Sequence, residues 1–155
     1  MSSTWELRPM AATDVEAIAD LRAVVMRADL ERLGRYDEQR VRDRFRRSYS
    51  LEHTRTILSG GAFAGCVTLR PAEDGWLLEH FYLAPEAQGR GLGGAVLRGL
   101  LEIADAEGAP VRLNVLQGSP ARRLYERHGF ALETEDDVDV FMVRKAGSAG
   151  GTGVS

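Results

Sequence analysis

Apolar residues follow two different spacings along this chain, and the switches between them mark out its elements. Trp5–Pro9 alternates weakly and predicts a short first strand. Thr13, with Glu16 at the third helical position, forms a capping-box pattern. Val15, Ile18, Ala19, Leu21, Val25 and Met26 then recur near helical spacing, so a helix is predicted from Asp14 to about Glu31, interrupted by Gly34. A second helix is predicted over Asp37–Tyr49, with Val41, Phe45 and Tyr49 as its few apolar positions. From Arg55 the period becomes that of strands. Thr56–Ser59 and Ala62–Arg70 flank Gly60-Gly61 as a hairpin. After a turn over Pro71–Gly75, Trp76–Leu83 reads as a strand apolar on both faces except at Glu79 and His80, hence central and covered on two sides. Helical spacing returns in Leu92–Ala106, with Val96, Leu97, Leu100, Leu101 and Ile103 as the buried stripe and Gly108 as the stop. Val111–Leu116 is a strand, Pro120 opens a short helix to His128, and Phe130–Thr134 with Val138–Val143 form a closing hairpin.

The predicted fold class is therefore α/β (α+β). Two helices come first, an antiparallel meander follows, and a β-loop-α-β-α-β unit closes the chain. Residues 1–146 read as a single domain and the Gly/Ser-rich stretch 147–155 as a disordered tail. A length of 155 residues suits one core. A net charge of -3 gives no support for wholesale binding to nucleic acid or anionic membrane. Aromatic residues are only 7%, and none interleaves the arginines as a base-stacking platform, so nucleic acid is not an expected partner. No apolar run of about 18 residues is present, and no basic-then-apolar leader opens the chain. With a single cysteine, Cys66, which fits a reducing compartment, these features predict a cytoplasmic protein without membrane association. His53, His80 and His128 are widely spaced, so no metal centre is predicted. Cys66 has no convincing histidine partner, which argues against a cysteine hydrolase.

Chemistry concentrates between strand Trp76–Leu83 and helix Leu92–Ala106. Ala84 to Gly94 reads A-P-E-A-Q-G-R-G-L-G-G. Glycine lets successive backbone N–H groups face a ligand and lets that ligand approach closely. The free amides of the following helix add donors and partial positive charge, and Arg90 adds charge-assisted donors. Such a turn suits a diphosphate. Gly89, Gly91 and Gly94 formally match the dinucleotide fingerprint. An antiparallel meander precedes them, however, Asp105 is poorly placed to bind a ribose, and the lysine of a P-loop is missing.

Gln88-Gly89-Arg90-Gly91-Leu92-Gly93 fits the pyrophosphate signature Gln/Arg-x-x-Gly-x-Gly/Ala, and Val115, Ala121, Leu124, Tyr125, Glu126, Arg127, Gly129 and Phe130 fit a closing strand-helix-Gly-Phe motif. On these two motifs the chain resembles the GNAT family, the GCN5-related N-acetyltransferases. The resemblance implies a mixed, mostly antiparallel, splayed sheet of about six to seven strands with helices on both faces. It implies acetyl-CoA as cosubstrate, inserted where strand Trp76–Leu83 diverges from Val111–Leu116. Main-chain groups of Phe81, Tyr82 and Leu83 would pair with the pantetheine arm. Amides of Gln88, Gly89, Arg90, Gly91, Leu92, Gly93 and Gly94 would hold the diphosphate. Asn114, Ser119 and Arg122 complete the expected cofactor contacts. Gly118 stands where the family often has asparagine, which puts one hydrogen bond to the cofactor arm or the local loop in doubt.

The resemblance also implies catalytic roles. Tyr125 is the expected general acid for the departing thiolate, since a phenol with a pKa of about 10 can protonate a thiol of about 8.5. Its alternative is packing in the helix with a hydrogen bond to the cofactor sulfur. Glu79, a carboxylate in an otherwise apolar strand, is the expected base or water-positioning group; a structural salt bridge is its alternative. Alternation points His80 to the opposite face, chiefly as a satisfied core or edge histidine with the base as its other reading, and Tyr82 on the same side would line the acceptor cleft. Tyr36 and residues Leu33–Asp37 would wall the acceptor pocket, where Asp29 and Glu31 would attract a cationic amine. Arg40, Arg42, Arg44, Arg46 and Arg47 spread around their helix and read chiefly as a solvated face, with the cofactor 3′-phosphate or an acidic acceptor as the other readings. The expected acceptor is a small-molecule amine or a peptide or protein amine. Two other functions remain open, a non-catalytic acyl-CoA sensing module and transfer to a non-amine acceptor. Homodimerisation is common in the family and has no mark in this sequence.

Overall fold

The computed structural model describes residues 4–147; the remainder of the predicted 147–155 tail lies outside the described residues. It is a mixed α/β fold with a seven-stranded, mostly antiparallel open sheet in the order β1-β2-β3-β4-β5-β7-β6, and four helices. The strands are β1 Trp5–Pro9, β2 Thr54–Ser59, β3 Ala62–Ala72, β4 Gly75–Leu83, β5 Val111–Leu116, β6 Ala131–Glu135 and β7 Asp139–Arg144. The helices are α1 Val15–Arg32, α2 Glu38–Ser48, α3 Leu92–Ala106 and α4 Ala121–Arg127. The chain forms two compact units, one of residues up to Arg70 with Glu79–Gly93, the other of Pro71–Leu78 with the residues from Gly94 onward.

In the first unit β1 and β2 pair antiparallel from Trp5↔Ser59 to Pro9↔Arg55, and β2 and β3 pair around the predicted Gly60-Gly61 turn. Met10, Ile18, Ala19, Phe45 and Cys66 form a buried cluster, with Val15, Tyr49 and Tyr82 packed against it. The Val41 and Phe45 stripe explains how a very basic helix folds here. Both residues are buried, and Tyr49 stacks on Phe45 with ring centroids 5.4 Å apart. Asp37 caps α2 by accepting the Arg40 N–H at 2.9 Å. The start of α1 differs from the Thr13–Glu16 expectation. A 3-10 turn, Ala12–Asp14, precedes the helix, and Asp14 accepts the Ala11 N–H at 2.9 Å and the Thr56 hydroxyl at 3.2 Å. Asp14, two residues before Glu16, thus supplies the side-chain bond to the backbone that precedes the helix, with Arg8 beside it at 3.3 Å.

In the second unit β5 and β7 pair antiparallel over all six residues of each, and β6 extends the pairing along β7. The parallel pairing of β4 with β5 joins Trp76 to Val111 and Leu77 to Arg112, at the starts of both strands. Helix α3 buries Leu92, Val96, Leu97, Leu100, Leu101 and Ala104. Ile103 is not in that stripe: although at about 100° per residue it shares the side of Val96, it stands in the last turn of the helix and is 48% exposed. Arg144 is buried and forks onto Asp105 at 2.8 and 3.1 Å, holding that carboxyl below the usual carboxylate range.

Two further differences bear on the site. Strand β3 runs on to Ala72, leaving only Glu73 and Asp74 as the turn. Strand β4 is central in the sheet order, yet only Leu78 is fully buried along it; the other residues are half-buried. Among the described residues, no helix is long and apolar enough to cross a membrane.

Candidate functional site

The loop after β4 is built by backbone. Pro85–Ala87 makes one 3-10 turn and Gln88 is extended; Gly89 and Gly91 then adopt φ of 76° and 79°, the left-handed region that side chains rarely enter. Left-handed residues alternating with ordinary ones, as here around Arg90, are the backbone pattern from which anion-binding nests are built. A Cβ at Gly89 or Gly91 would meet nothing within 4 Å, so backbone angle and open approach, rather than packing, call for glycine there. Gly93 and Gly94 lie within α3 and have ordinary helical φ. The first turn of α3 carries no acidic residue, and its leading amides have no acceptor within the helix. Gln88 does not extend from the loop; its Nε2 donates to the Leu83 carbonyl at 2.9 Å and ties the loop to the end of β4. Phe81, Tyr82 and Leu83 are half-buried there. The backbone of β3 lies directly under that stretch: a Cβ on Gly65 would fall 2.0 Å from the Tyr82 carbonyl oxygen.

The end of β4 is built by side chains. His80 has a φ of 47°, a left-handed bulge in mid-strand. Arg22, buried on α1, donates from Nε to the Tyr82 hydroxyl at 2.8 Å and from Nη1 to the Val41 carbonyl. Arginine can only donate, so the Tyr82 oxygen accepts from Arg22; Ser48 spends its own proton on the Arg44 carbonyl, so the network is completed with His80 Nε2 donating to Ser48 and Tyr82 donating to His80 Nδ1, 3.0 Å away. Burial lowers the His80 pKa to about 4, so its ring is neutral near pH 7 and carries its hydrogen on Nε2. That nitrogen lies 3.4 Å from Ser48 Oγ, which donates onward to the Arg44 carbonyl at 2.6 Å. Phe45 packs edge-on against the His80 ring at 5.0 Å. Burial also pushes the Tyr82 hydroxyl and the Cys66 thiol up to about 12. Cys66, bonded to the His80 carbonyl at 3.1 Å, is an inert core residue.

Glu79 accepts from Arg70 Nε at 2.6 Å through Oε2; its side chain is 23% exposed. The salt bridge foreseen as the alternative for Glu79 is thus present, and Oε1 has no hydrogen-bond donor among the described residues. Asp29 and Glu31 do not form an acidic surface for an amine. They bond to Arg32 and Arg27 at 2.9 and 3.1 Å, as helical neighbours three and four apart do. Tyr36 lies under the Arg27 guanidinium, 5.1 Å from it.

In the second unit Tyr125 is buried on α4, its ring 5.7 Å from that of Phe130 in an edge-to-face contact. Asn114 and Ser119 serve local structure: Asn114 donates to Asp139 at 2.9 Å, and Ser119 Oγ accepts the Ala121 N–H at 3.2 Å. Arg122 pairs with Glu126 one turn on, at 3.1 Å. Gly118 has a φ of 79°, so glycine at the usual asparagine position is used by the turn itself. Among the described residues, no group of three or more histidine, cysteine or carboxylate side chains forms a metal site.

A sequence profile of the acetyltransferase (GNAT) family matches residues 16–130. The chain belongs to the GNAT acetyltransferase family. No curated protein sequence matches it. Among solved structures, it is similar to PaiA N-acetyltransferase from Thermoplasma acidophilum in complex with coenzyme A, at 21% identity and a TM-score of 0.74, over 92% of this chain and 99% of that one. It is also similar to the ribosomal-protein-S18-alanine N-acetyltransferase from Escherichia coli, at 20% identity and a TM-score of 0.68, over 98% and 99% of the two chains. At these identities the likeness is one of fold.

Arg22, Arg70 and Ser48 were not singled out by sequence reasoning. Arg22 left a trace: it stands four residues after Ile18, on the buried face of α1, where an arginine must find partners. Arg70 and Ser48 left none, because their partners, Glu79 and His80, are 9 and 32 residues away.

Proposed function

We propose that this GNAT-family protein transfers the acetyl group of acetyl-CoA to a primary amine by direct attack in a ternary complex. The observation that carries the reading is the pair of left-handed glycines, Gly89 and Gly91, immediately before α3. They give a diphosphate a concave set of backbone donors at a helix start. In this reading amides of Gln88–Gly94 hold the diphosphate and main-chain groups of Phe81–Leu83 receive the pantetheine arm. The short pairing of β4 with β5 supports the second assignment, because register contacts occupy only the start of β4.

The amine nitrogen attacks the thioester carbonyl carbon, forming a C–N bond as the C–S bond breaks. Backbone amides near Leu83 polarise the carbonyl oxygen. Tyr125 protonates the departing sulfur. The proton lost by the amine passes to Glu79 or to a water that Glu79 positions, through the unpaired Oε1. Arg70 fixes the carboxylate for that role. His80 takes no proton in this scheme, because its neutral ring already accepts from Tyr82. Asn114, Ser119 and Arg122 are engaged locally and contribute through loop and helix geometry.

A panel of amines incubated with acetyl-CoA, read by free-thiol release and by mass spectrometry of products, tests this reading. The expected result is an N-acetyl product stoichiometric with free thiol. Coenzyme binding without transfer to any amine would make the chain a sensing module, and an O-acetyl product would assign a different acceptor chemistry.

A further inference from the structure

The five arginines of α2 divide into two rows with different fates. Arg42 and Arg46, one turn apart, are held by carboxylates of α1. Arg42 bonds to Asp20 at 2.8 Å and Arg46 to Glu16 at 2.7 Å, with Glu38 and Asp43 completing their shells. Arg40, Arg44 and Arg47 fall at i, i+4 and i+7, a second row along the helix. Among the described residues Arg40 and Arg44 have no ion-pair partner, and Arg47 has only Asp43, at 4.0 Å. With Asp37, Gln39, Asp43 and Ser48 this row lines an open, solvent-facing surface along α2. Its two carboxylates are engaged elsewhere, Asp37 in capping α2 and Asp43 on Arg46 at 2.8 Å.

The row continues toward β4. Ser48 lines this surface and lies 3.4 Å from His80 Nε2; Arg44, one turn before Ser48, is on the same row, and Arg22 and Arg70 also flank the His80 segment, Arg70 paired with Glu79. Such a field repels a polycation and attracts an anion. The carboxylates that would otherwise welcome a cationic acceptor, Asp29 and Glu31, are consumed by Arg32 and Arg27.

We infer that the acceptor amine carries carboxylates, as a free acidic amino acid or the N-terminus of an acidic peptide does, and that Arg40, Arg44 and Arg47 recognise them. The guanidinium fork matches a carboxylate in shape and charge. This inference rests on the reading of the chain as an amine acetyltransferase.

Calorimetric titration of the full chain, saturated with coenzyme A, tests it with triglutamate, free glutamate and fully amidated triglutamate as probes. The acidic probes are expected to bind at least about tenfold more tightly than the amide, an advantage that weakens with added salt. A preference for triglutamate assigns an acidic peptide; equal affinity of the two acidic probes assigns a free amino acid. The combined variant R40Q/R44Q/R47Q is expected to lose the advantage while binding acetyl-CoA within about twofold of the wild type; should it fail to fold, Arg44→Gln alone is expected to lose about threefold. Equal binding of acidic and amidated probes, or an advantage that survives the variants, overturns the inference. Thiol release from parallel incubations of the same probes with acetyl-CoA in place of coenzyme A separates it from the reading beneath it. Transfer to neutral amines without preference for acidic ones refutes the acidic acceptor and leaves acetyl transfer standing. Selective binding of the acidic probes with no transfer to any amine refutes acetyl transfer, and the acceptor assignment with it.

Discussion

The two candidate regions at the end of β4 are made of different material. The loop Gln88–Gly91 is a backbone construction: two glycines at positive φ, a capping glutamine and a helix start, with open space where side chains would be. The stretch Glu79–Tyr82 is a side-chain construction, in which Arg22, Ser48, Arg70 and Phe45 converge from three other elements on one bulged segment. A backbone site depends on conformation and tolerates variation in its neighbours. A side-chain site depends on every partner being present. Substitutions in the first should therefore affect ligand binding more than folding, and substitutions in the second should be felt in stability as well.

The largest expected effect is in the loop. Gly91→Val should weaken acetyl-CoA binding by several hundredfold in calorimetry. Its folding penalty should stay near 1–2 kcal/mol, the cost of a side chain at positive φ, since a Cβ there meets no atom within 4 Å. Equal losses in binding and stability would break the contrast. Next, Tyr125→Phe keeps the contact with Phe130 and removes only the hydroxyl. It should lower kcat by about a hundredfold with acetyl-CoA affinity within about threefold; an unchanged kcat across the pH profile would remove the general-acid role.

The side-chain region predicts smaller and pH-dependent effects. His80 is held neutral, with its pKa lowered from 6.5 to about 4, so the unfolded chain binds more protons than the folded one between those values. The stability it contributes is complete above pH 6.5 and is lost as pH falls toward 4, by about 3 kcal/mol. Urea titrations of wild type and His80→Asn across that window should show the slope in the wild type alone, asparagine being tolerant of the left-handed backbone. Arg22→Met, which fills similar space, should cost about 1–2 kcal/mol by leaving the Val41 carbonyl and the Tyr82 hydroxyl without their donor. It should leave acetyl-CoA affinity nearly unchanged.

The same contrast explains what could be read from the chain. Helix α3 and strand β5 begin and end where the spacing of apolar residues places them. The loop was legible because left-handed backbone selects glycine, and glycine is visible in a sequence. The difference at Ile103 concerns position along the helix: it shares the side of buried Val96 but lies in the last turn, where the spacing of apolar residues does not show what covers it. The bulge at His80 was not legible. It rests on an arginine from α1 and a serine from α2, and nothing local to β4 announces a left-handed histidine. For the same reason the pairing of the acidic residues of α1 was not legible. Each is cancelled by an arginine one turn away, which a count of charges does not show.

The account is tested most directly by comparing the binding of acetyl-CoA with that of S-acetylpantetheine, the same acetylated arm without its diphosphate and adenosine 3′-phosphate, by calorimetry on the wild-type chain and on Gly91→Val, which separates the loop's share of the difference from that of the adenosine. If backbone amides of Gln88–Gly94 hold the diphosphate, acetyl-CoA should bind at least about a hundredfold more tightly, and Gly91→Val should erase most of that difference. Equal affinity for the two ligands in the wild type would contradict the account.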